Sequence, residues 1–203
     1  TSRRIDKIGY LRINNFSSRT SGEVKAALEE FGGARIAGLV LDLRNNPGGF
    51  LNASVDVASR FLPADELILT QESRGDPPRE FMARAGTKFT RPPMVVLVNQ
   101  GTASASEIVA GALQAHGRAA LLGEETYGKG SVQELHRLSD ESLLRVTSGI
   151  WITPSGINLG ASGLMPDELI ELESGELGSD DDVVLQRALD RLRGELAAEP
   201  VAA

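Results

Sequence analysis

Two stretches of this chain are apolar on both sides for most of their length: IAGLVLDL at 36–43, with Asp42 near its end, and MVVLVN at 94–99, ending in Asn99. A strand with one face in water alternates polar and apolar residues, whereas a short run with no polar side suits a strand covered on both faces. Such strands sit in the middle of parallel sheets, whose crossover connections carry helices onto each face. The flanking segments agree. IGYLRI (8–13) is predicted as a strand, and EVKAALEEF as a helix with capping-box spacing at Thr20 and Glu23. FLNASVDVASRFL (50–62) is helical in period and stopped by Pro63, ELILTQES (66–73) reads as a strand, and SASEIVAGALQAHG as a helix ended by Gly117. AALLG and the segments near 132–136 and 143–152 are predicted strands, and DDVVLQRALDRLRGEL a closing amphipathic helix with acids at its start. The extreme ends and the polar RGDPPREFMARAGTK (74–88) are expected to be disordered. Alternation of this kind predicts an α/β layered fold with a mostly parallel central sheet and flanking helices.

With 203 residues, 41% of them hydrophobic, the chain can bury one substantial core, so a single domain over 1–203 is expected rather than two equal halves. Its net charge of -7, with Lys and Arg scattered among acids, argues against a nucleic-acid partner. No apolar run approaches the roughly 20 residues that span a bilayer, and TSRRIDKIGY has no signal-peptide core, so neither anchor nor signal is expected in this chain. The absence of cysteine excludes disulfides, thiol catalysis and cysteine-ligated zinc, and two histidines, His116 and His136, leave little for a metal site. No cofactor is expected.

Ligands of α/β sheets gather beyond the C-terminal ends of the strands, which directs attention to RNNPGG after the first apolar run and QGTASASE after the second. Ser104 lies at a strand-to-helix junction among Gly101, Ala103 and Ala105, small residues that leave room for a substrate backbone. That suits a nucleophile. The plainer reading is a helix cap, because Ser104 and Glu107 have S-x-x-E spacing. No serine lies in the G-x-S-x-G elbow, so a strained turn is not expected to present it. A base is then needed. His116 beside Gly117 reads as structural at a helix C-terminus, and His136 in an alternating strand as solvent-facing.

Lysine is the other option. GEETYGKGS (123–131) imitates a phosphate loop, but Gly130 stands where Ser or Thr should hold magnesium, and the following residues alternate like a strand instead of opening a helix. Lys129 is therefore free for another use, either a solvated turn residue or a base delivered inward between two glycines. A lysine amine, ordinarily near pKa 10.4, works as a base at neutral pH only if burial removes its charge, at roughly 4 kcal/mol. In RNNPGG, Gly48 and Gly49 can turn backbone N–H groups outward to meet an oxyanion, with the Ala105 amide as the second donor; an ordinary glycine turn is the alternative.

Taken in order, LVLDLRNNPGG, LVNQGTASASEIVAGALQ, GEETYGKGSVQ and TPSGINLGASGLMPD resemble the C-terminal processing peptidases, or tail-specific proteases, from about Ile8 to the closing helix. The resemblance implies a layered crotonase/ClpP-like core and a serine endopeptidase acting on protein or peptide substrates through a Ser-Lys dyad. It implies Ser104 as nucleophile, Lys129 as general base, Gln133 as the residue orienting the lysine, and Gly49 (or Gly48) with Ala105 as the oxyanion hole. It also implies an extracytoplasmic location in periplasm, cell envelope or thylakoid lumen. Family members generally carry a PDZ domain ahead of this core, which is not expected within this chain, and Leu159 stands where a polar residue is common. Two other readings are a non-catalytic peptide-binding scaffold on the same fold and a crotonase-like acyl-CoA enzyme.

Overall fold

The two apolar runs become neighbouring central strands. In a computed structural model, which describes residues 1–86, 89–171, 177–179 and 181–198, β3 (Gly38–Asp42) pairs in parallel with β6 (Met94–Val98). Around them stand β2 (Ile8–Arg12), β1 (Ser2–Ile5), β7 (Ala120–Gly123) and β10 (Glu168–Leu169), in the order β1-β2-β3-β6-β7-β10. Every pairing is parallel except β1 with β2. Side chains alternate between two cores, as a doubly covered strand requires. Leu39, Leu41, Val96 and Val98 point into the larger one, while Val40, Val95 and Leu97 face the smaller.

The larger core is roofed by α1 (Thr20–Gly33), α2 (Leu51–Phe61) and α3 (Ala105–Ala115). The smaller is closed by α4 (Val183–Ala198), which buries Val184, Leu185, Ala188, Leu189 and Leu192, at roughly 1.5–3 kcal/mol for each fully buried Val or Leu. A second, antiparallel sheet has the order β5-β4-β9-β8, from β4 (Leu67–Ser73), β5 (Arg79–Met82), β8 (Ser131–Arg137) and β9 (Leu143–Ile152).

Three expectations are corrected. The opening residues form β1, tied at its start by the Thr1 ammonium, which donates to the Arg12 carbonyl at 2.9 Å. The polar 74–88 segment contains β5, because Phe81 meets the Trp151 ring edge-on at 6.2 Å and Arg79 stacks over Phe81 at 4.7 Å; one aromatic gives an otherwise polar strand something to bury. Thr87 and Lys88, and residues 199–203 of the tail, lie outside the described residues. Thr20 is not an N-cap. Its hydroxyl donates to the Asn15 carbonyl and accepts the Ser17 amide, so it braces the preceding turn while Arg19 occupies the cap position. Gly117, at φ 60°, does end α3, as its place in the sequence predicts.

Candidate active site

The loops after β3 and β6 are stitched together at the C-terminal edge of the parallel sheet. Asn45 and Asn99 form a reciprocal pair: the Asn45 amide donates to Asn99 Oδ1 at 2.8 Å, and Asn99 Nδ2 returns a bond to Asn45 Oδ1 at 2.9 Å. Beneath them the Asn46 carbonyl accepts from the Ala103 amide (3.0 Å) and the Ser106 hydroxyl (3.0 Å), and Asn46 Nδ2 donates to the Ile13 carbonyl (2.7 Å). The Thr102 hydroxyl donates to the Leu43 carbonyl at 2.9 Å. Bonds of this density hold a backbone in a conformation it would not otherwise keep.

Ser104 is in such a conformation. At φ 55° and ψ -117° it is a non-glycine residue in a sparsely populated region, immediately before α3. The expectation that no strained turn presents this serine is therefore overturned. The strained strand-to-helix turn is present without the G-x-S-x-G pattern, because interlocking loops impose the geometry that pattern otherwise signals.

Gly48 shows how closely the loops approach. A Cβ built there would lie 2.7 Å from both the Ala103 carbonyl oxygen and Ser104 Cβ, at φ 99°. Its own N–H is taken by Asn46 Oδ1 at 2.9 Å, whereas no described acceptor takes the N–H of Gly49 or of Ala105. Gly48→Ala is expected to cost about 1–3 kcal/mol in urea unfolding, because strain and a backbone clash coincide. Gly22→Ala, in the first turn of α1 with nothing within 4 Å of the new Cβ, should be neutral or stabilising by up to about 1 kcal/mol.

Lys129 arrives from the third loop, and its amide donates to Glu107 Oε2 at 3.0 Å. Glu107, fully buried on α3, also accepts the Ser104 amide on Oε2 at 2.7 Å, and on Oε1 the Gly128 amide (2.7 Å) and the Thr126 hydroxyl (2.5 Å). Gly130 is pressed against the 159–160 segment, where an added Cβ would fall 2.3 Å from the Gly160 nitrogen. Leu159 is buried there as part of the larger core, which accounts for an apolar residue at that position. The chain continues from Gly130 into β8 rather than into a helix, so the anion-binding helix of a phosphate loop does not exist at this place.

The Lys129 side chain is exposed, and among the described residues no hydrogen bond joins it to Ser104. The desolvated amine expected from the sequence is thus not what the chain by itself provides, because no described element covers that side of the loop. Gln133, on β8 opposite Thr147, is exposed as well. His116 is structural, with Nε2 2.7 Å from the Leu67 carbonyl oxygen and Nδ1 3.3 Å from Glu66, and His136 is exposed. Among the described residues no group of three or more His, Asp or Glu side chains is placed to hold a metal ion.

Sequence reasoning took Glu107 only as a helix cap and passed over Arg44. The Arg44 guanidinium, 1% exposed, bonds both oxygens of Asp42 (3.0 and 2.7 Å) and both oxygens of Asp182 (2.7 and 2.8 Å). Tyr10 adds a bond to Asp42 at 2.7 Å. Burial pushes the Tyr10 hydroxyl pKa well up, and the neighbouring Asp42 raises it further. Asp182 also accepts the Leu185 amide at the start of α4, so the closing helix is clamped to the root of the RNNPGG loop.

The C-terminal edge of the mostly parallel sheet thus holds a strained serine, with a glycine loop and a lysine loop beside it. Residues 7–170 match peptidase family S41, and the chain belongs to that family. It is 44% identical over 199 residues, 97% of this chain and 46% of the relative, to a carboxyl-terminal-processing protease of Synechocystis sp.. It is 40% identical over 164 residues, 81% of this chain and 32% of the relative, to the chloroplastic carboxyl-terminal-processing peptidase 3 of Arabidopsis thaliana. The structure of a photosystem II D1 C-terminal processing protease superposes with a TM-score of 0.77 at 35% identity, over 91% of this chain and 46% of that one. Mature CPAF, at 13% identity and a TM-score of 0.78 over 96% of this chain and 53% of that one, shares the fold. The chain spans about half the length of the curated relatives that it matches over 93–97% of its own residues.

Proposed function

We propose that residues 1–203 form the catalytic core of a serine endopeptidase that cleaves polypeptides near their C-termini or in unfolded segments. The observation that carries this reading is the strained Ser104 at the crossing of the two sheet-edge loops, with the Lys129 loop beside it. Ser104 Oγ attacks the scissile carbonyl carbon while the neutral Lys129 amine takes its proton. The developing oxyanion is held by the N–H groups of Gly49 and Ala105; Gly48, the alternative donor, already gives its N–H to Asn46. Collapse of the tetrahedral intermediate breaks the C–N bond, and the Lys129 ammonium returns the proton to the leaving amine. Water, deprotonated by Lys129, then hydrolyses the acyl-enzyme and regenerates Ser104. A bound polypeptide lying over the open side of the loop excludes the water that now surrounds Lys129, and Gln133 orients the amine. The location that accords with the relatives is outside the cytoplasm; among the described residues no helix is long and apolar enough to cross a membrane.

The exposed Lys129 favours a second reading, a scaffold with the dyad unaligned. Reaction with a fluorophosphonate decides between them. Stoichiometric labelling mapped by peptide mass to Ser104 is the expected result, and labelling of a different serine, or of none, removes the assignment. The acyl-CoA reading has no observation in its favour.

A further inference from the structure

We propose that Glu107 is a positioning residue of this site, whose buried carboxylate sets the placement of Lys129 relative to Ser104 by holding the backbone amide of each on one oxygen. The inference rests on the protease reading above and adds to it a residue whose side chain touches neither substrate nor reacting atoms.

A helix cap needs only part of what is observed. In a capping box the N3 carboxylate reaches back to the N-cap amide, and the bond from the Ser104 N–H to Oε2 at 2.7 Å fulfils that role. Glu107 takes three more donors, all from a loop 19 to 22 residues further along the chain: Thr126 Oγ1, the Gly128 amide and the Lys129 amide. Both carboxylate oxygens are thus doubly occupied. The Thr126 hydroxyl in turn accepts the Leu164 amide at 2.7 Å, so the network continues into the glycine-rich 159–164 segment against which Gly130 packs.

The residue type follows from this donor set. A carboxylate only accepts, with about four lone-pair directions, whereas a glutamine offers one accepting oxygen and turns an NH₂ toward two donors. A fully buried carboxylate is costly unless it is hydrogen-bonded, and here four donors and the positive end of α3 offset that cost. The conformation of Ser104 and the course of the lysine loop therefore share one anchor, and displacing that anchor misaligns nucleophile and base without altering the substrate-facing surface. A misplacement of about 1 Å at such a distance from the chemistry costs on the order of 100-fold in rate.

The test compares Glu107→Gln, Thr126→Val and Thr126→Ser in the intact protein, with turnover of an unstructured polypeptide and the fluorophosphonate labelling rate as readouts. Glu107→Gln is expected to lower kcat about 100-fold with KM within about twofold of wild type. Thr126→Val leaves the cap between Ser104 and Glu107 in place, so a residue that only caps the helix predicts no change, whereas positioning predicts a fall in kcat of about tenfold. Thr126→Ser, which restores the hydroxyl, should recover nearly all of it. Should Glu107→Gln fail to fold by circular dichroism, the two Thr126 variants decide. Wild-type kcat in a folded Glu107→Gln or in Thr126→Val, or a loss confined to KM, overturns the inference while a labelled wild-type Ser104 keeps the protease reading. A wild-type protein that neither labels nor cleaves overturns both.

Discussion

Ser104→Ala is expected to lose about four to six orders of magnitude in turnover of an unfolded polypeptide, and Lys129→Ala to lose nearly as much. The double variant should be no slower than either single one, because nucleophile and base act as a unit and their losses do not add. Stability should move the other way, through the backbone. Ser104 holds a φ of 55°, which a side chain adopts only under compulsion from the surrounding bonds. Ser104→Gly removes the Cβ that makes this unfavourable, so it should unfold at higher urea than Ser104→Ala, by about 1 kcal/mol after the extra chain entropy of glycine is subtracted. An inactive variant more stable than its alanine counterpart would mark the strain as a feature kept for catalysis. Wild-type turnover in Ser104→Ala would remove the nucleophile from this position.

Arg44→Ala is expected to cost about 3–5 kcal/mol, a lowering of the unfolding midpoint by about 10 °C for a chain of this size. The reason is what it leaves behind. Asp42 and Asp182 are both fully buried, and without the guanidinium between them they become two carboxylates in a dry pocket. Burial by itself works to raise the Asp182 pKa, but its hydrogen bonds from Arg44 and from the Gly178 and Leu185 amides outweigh this and hold it below the ordinary carboxylate range. A carboxylate with a lowered folded-state pKa contributes stability that is fully present above its unfolded pKa and is lost as pH falls through the folded value. Acid unfolding of the wild type should therefore steepen below the usual carboxylate range, and in Asp182→Asn that portion of the pH dependence should disappear. Because Arg44 is the first residue of the RNNPGG loop, Arg44→Ala is also expected to slow labelling of Ser104 at temperatures where the protein remains folded. A change of under about 1 kcal/mol would mean that the triad is held by packing rather than by charge.

Much of this fold could be read from local composition. The largely apolar runs at 36–43 and 94–99 did become central parallel strands facing a core on each side, since no other placement hides both rows of their side chains. The helical periods at 50–62 and in the tail became α2 and α4. What escaped were elements whose stability is borrowed from elsewhere. β5 is a polar segment made into a strand by β4 beside it and by Trp151 some seventy residues away, and Thr20 was diverted from capping by a turn that needed its hydroxyl more. In the site, Ser104, Lys129 and the glycine loop announced themselves as small-residue loops after buried strands. The strain at Ser104 did not, because the residues flanking it, Ala103 and Ser106, donate to the Asn46 carbonyl of a loop far away in the sequence.

By itself the sequence determined the sheet's centre, the loops that carry reactive groups and the resemblance to a family, all of which are written in contiguous residues. Only the tertiary structure decided that the Gly48 amide is already occupied, that the Lys129 side chain stands in solvent, and that one carboxylate gathers donors from two separate loops. The physical reason is range. Burial and turn preference act within a few residues and leave a pattern in the string, whereas a hydrogen bond between Glu107 and Lys129, or between Arg44 and Asp182, depends on how distant segments of the chain are brought together.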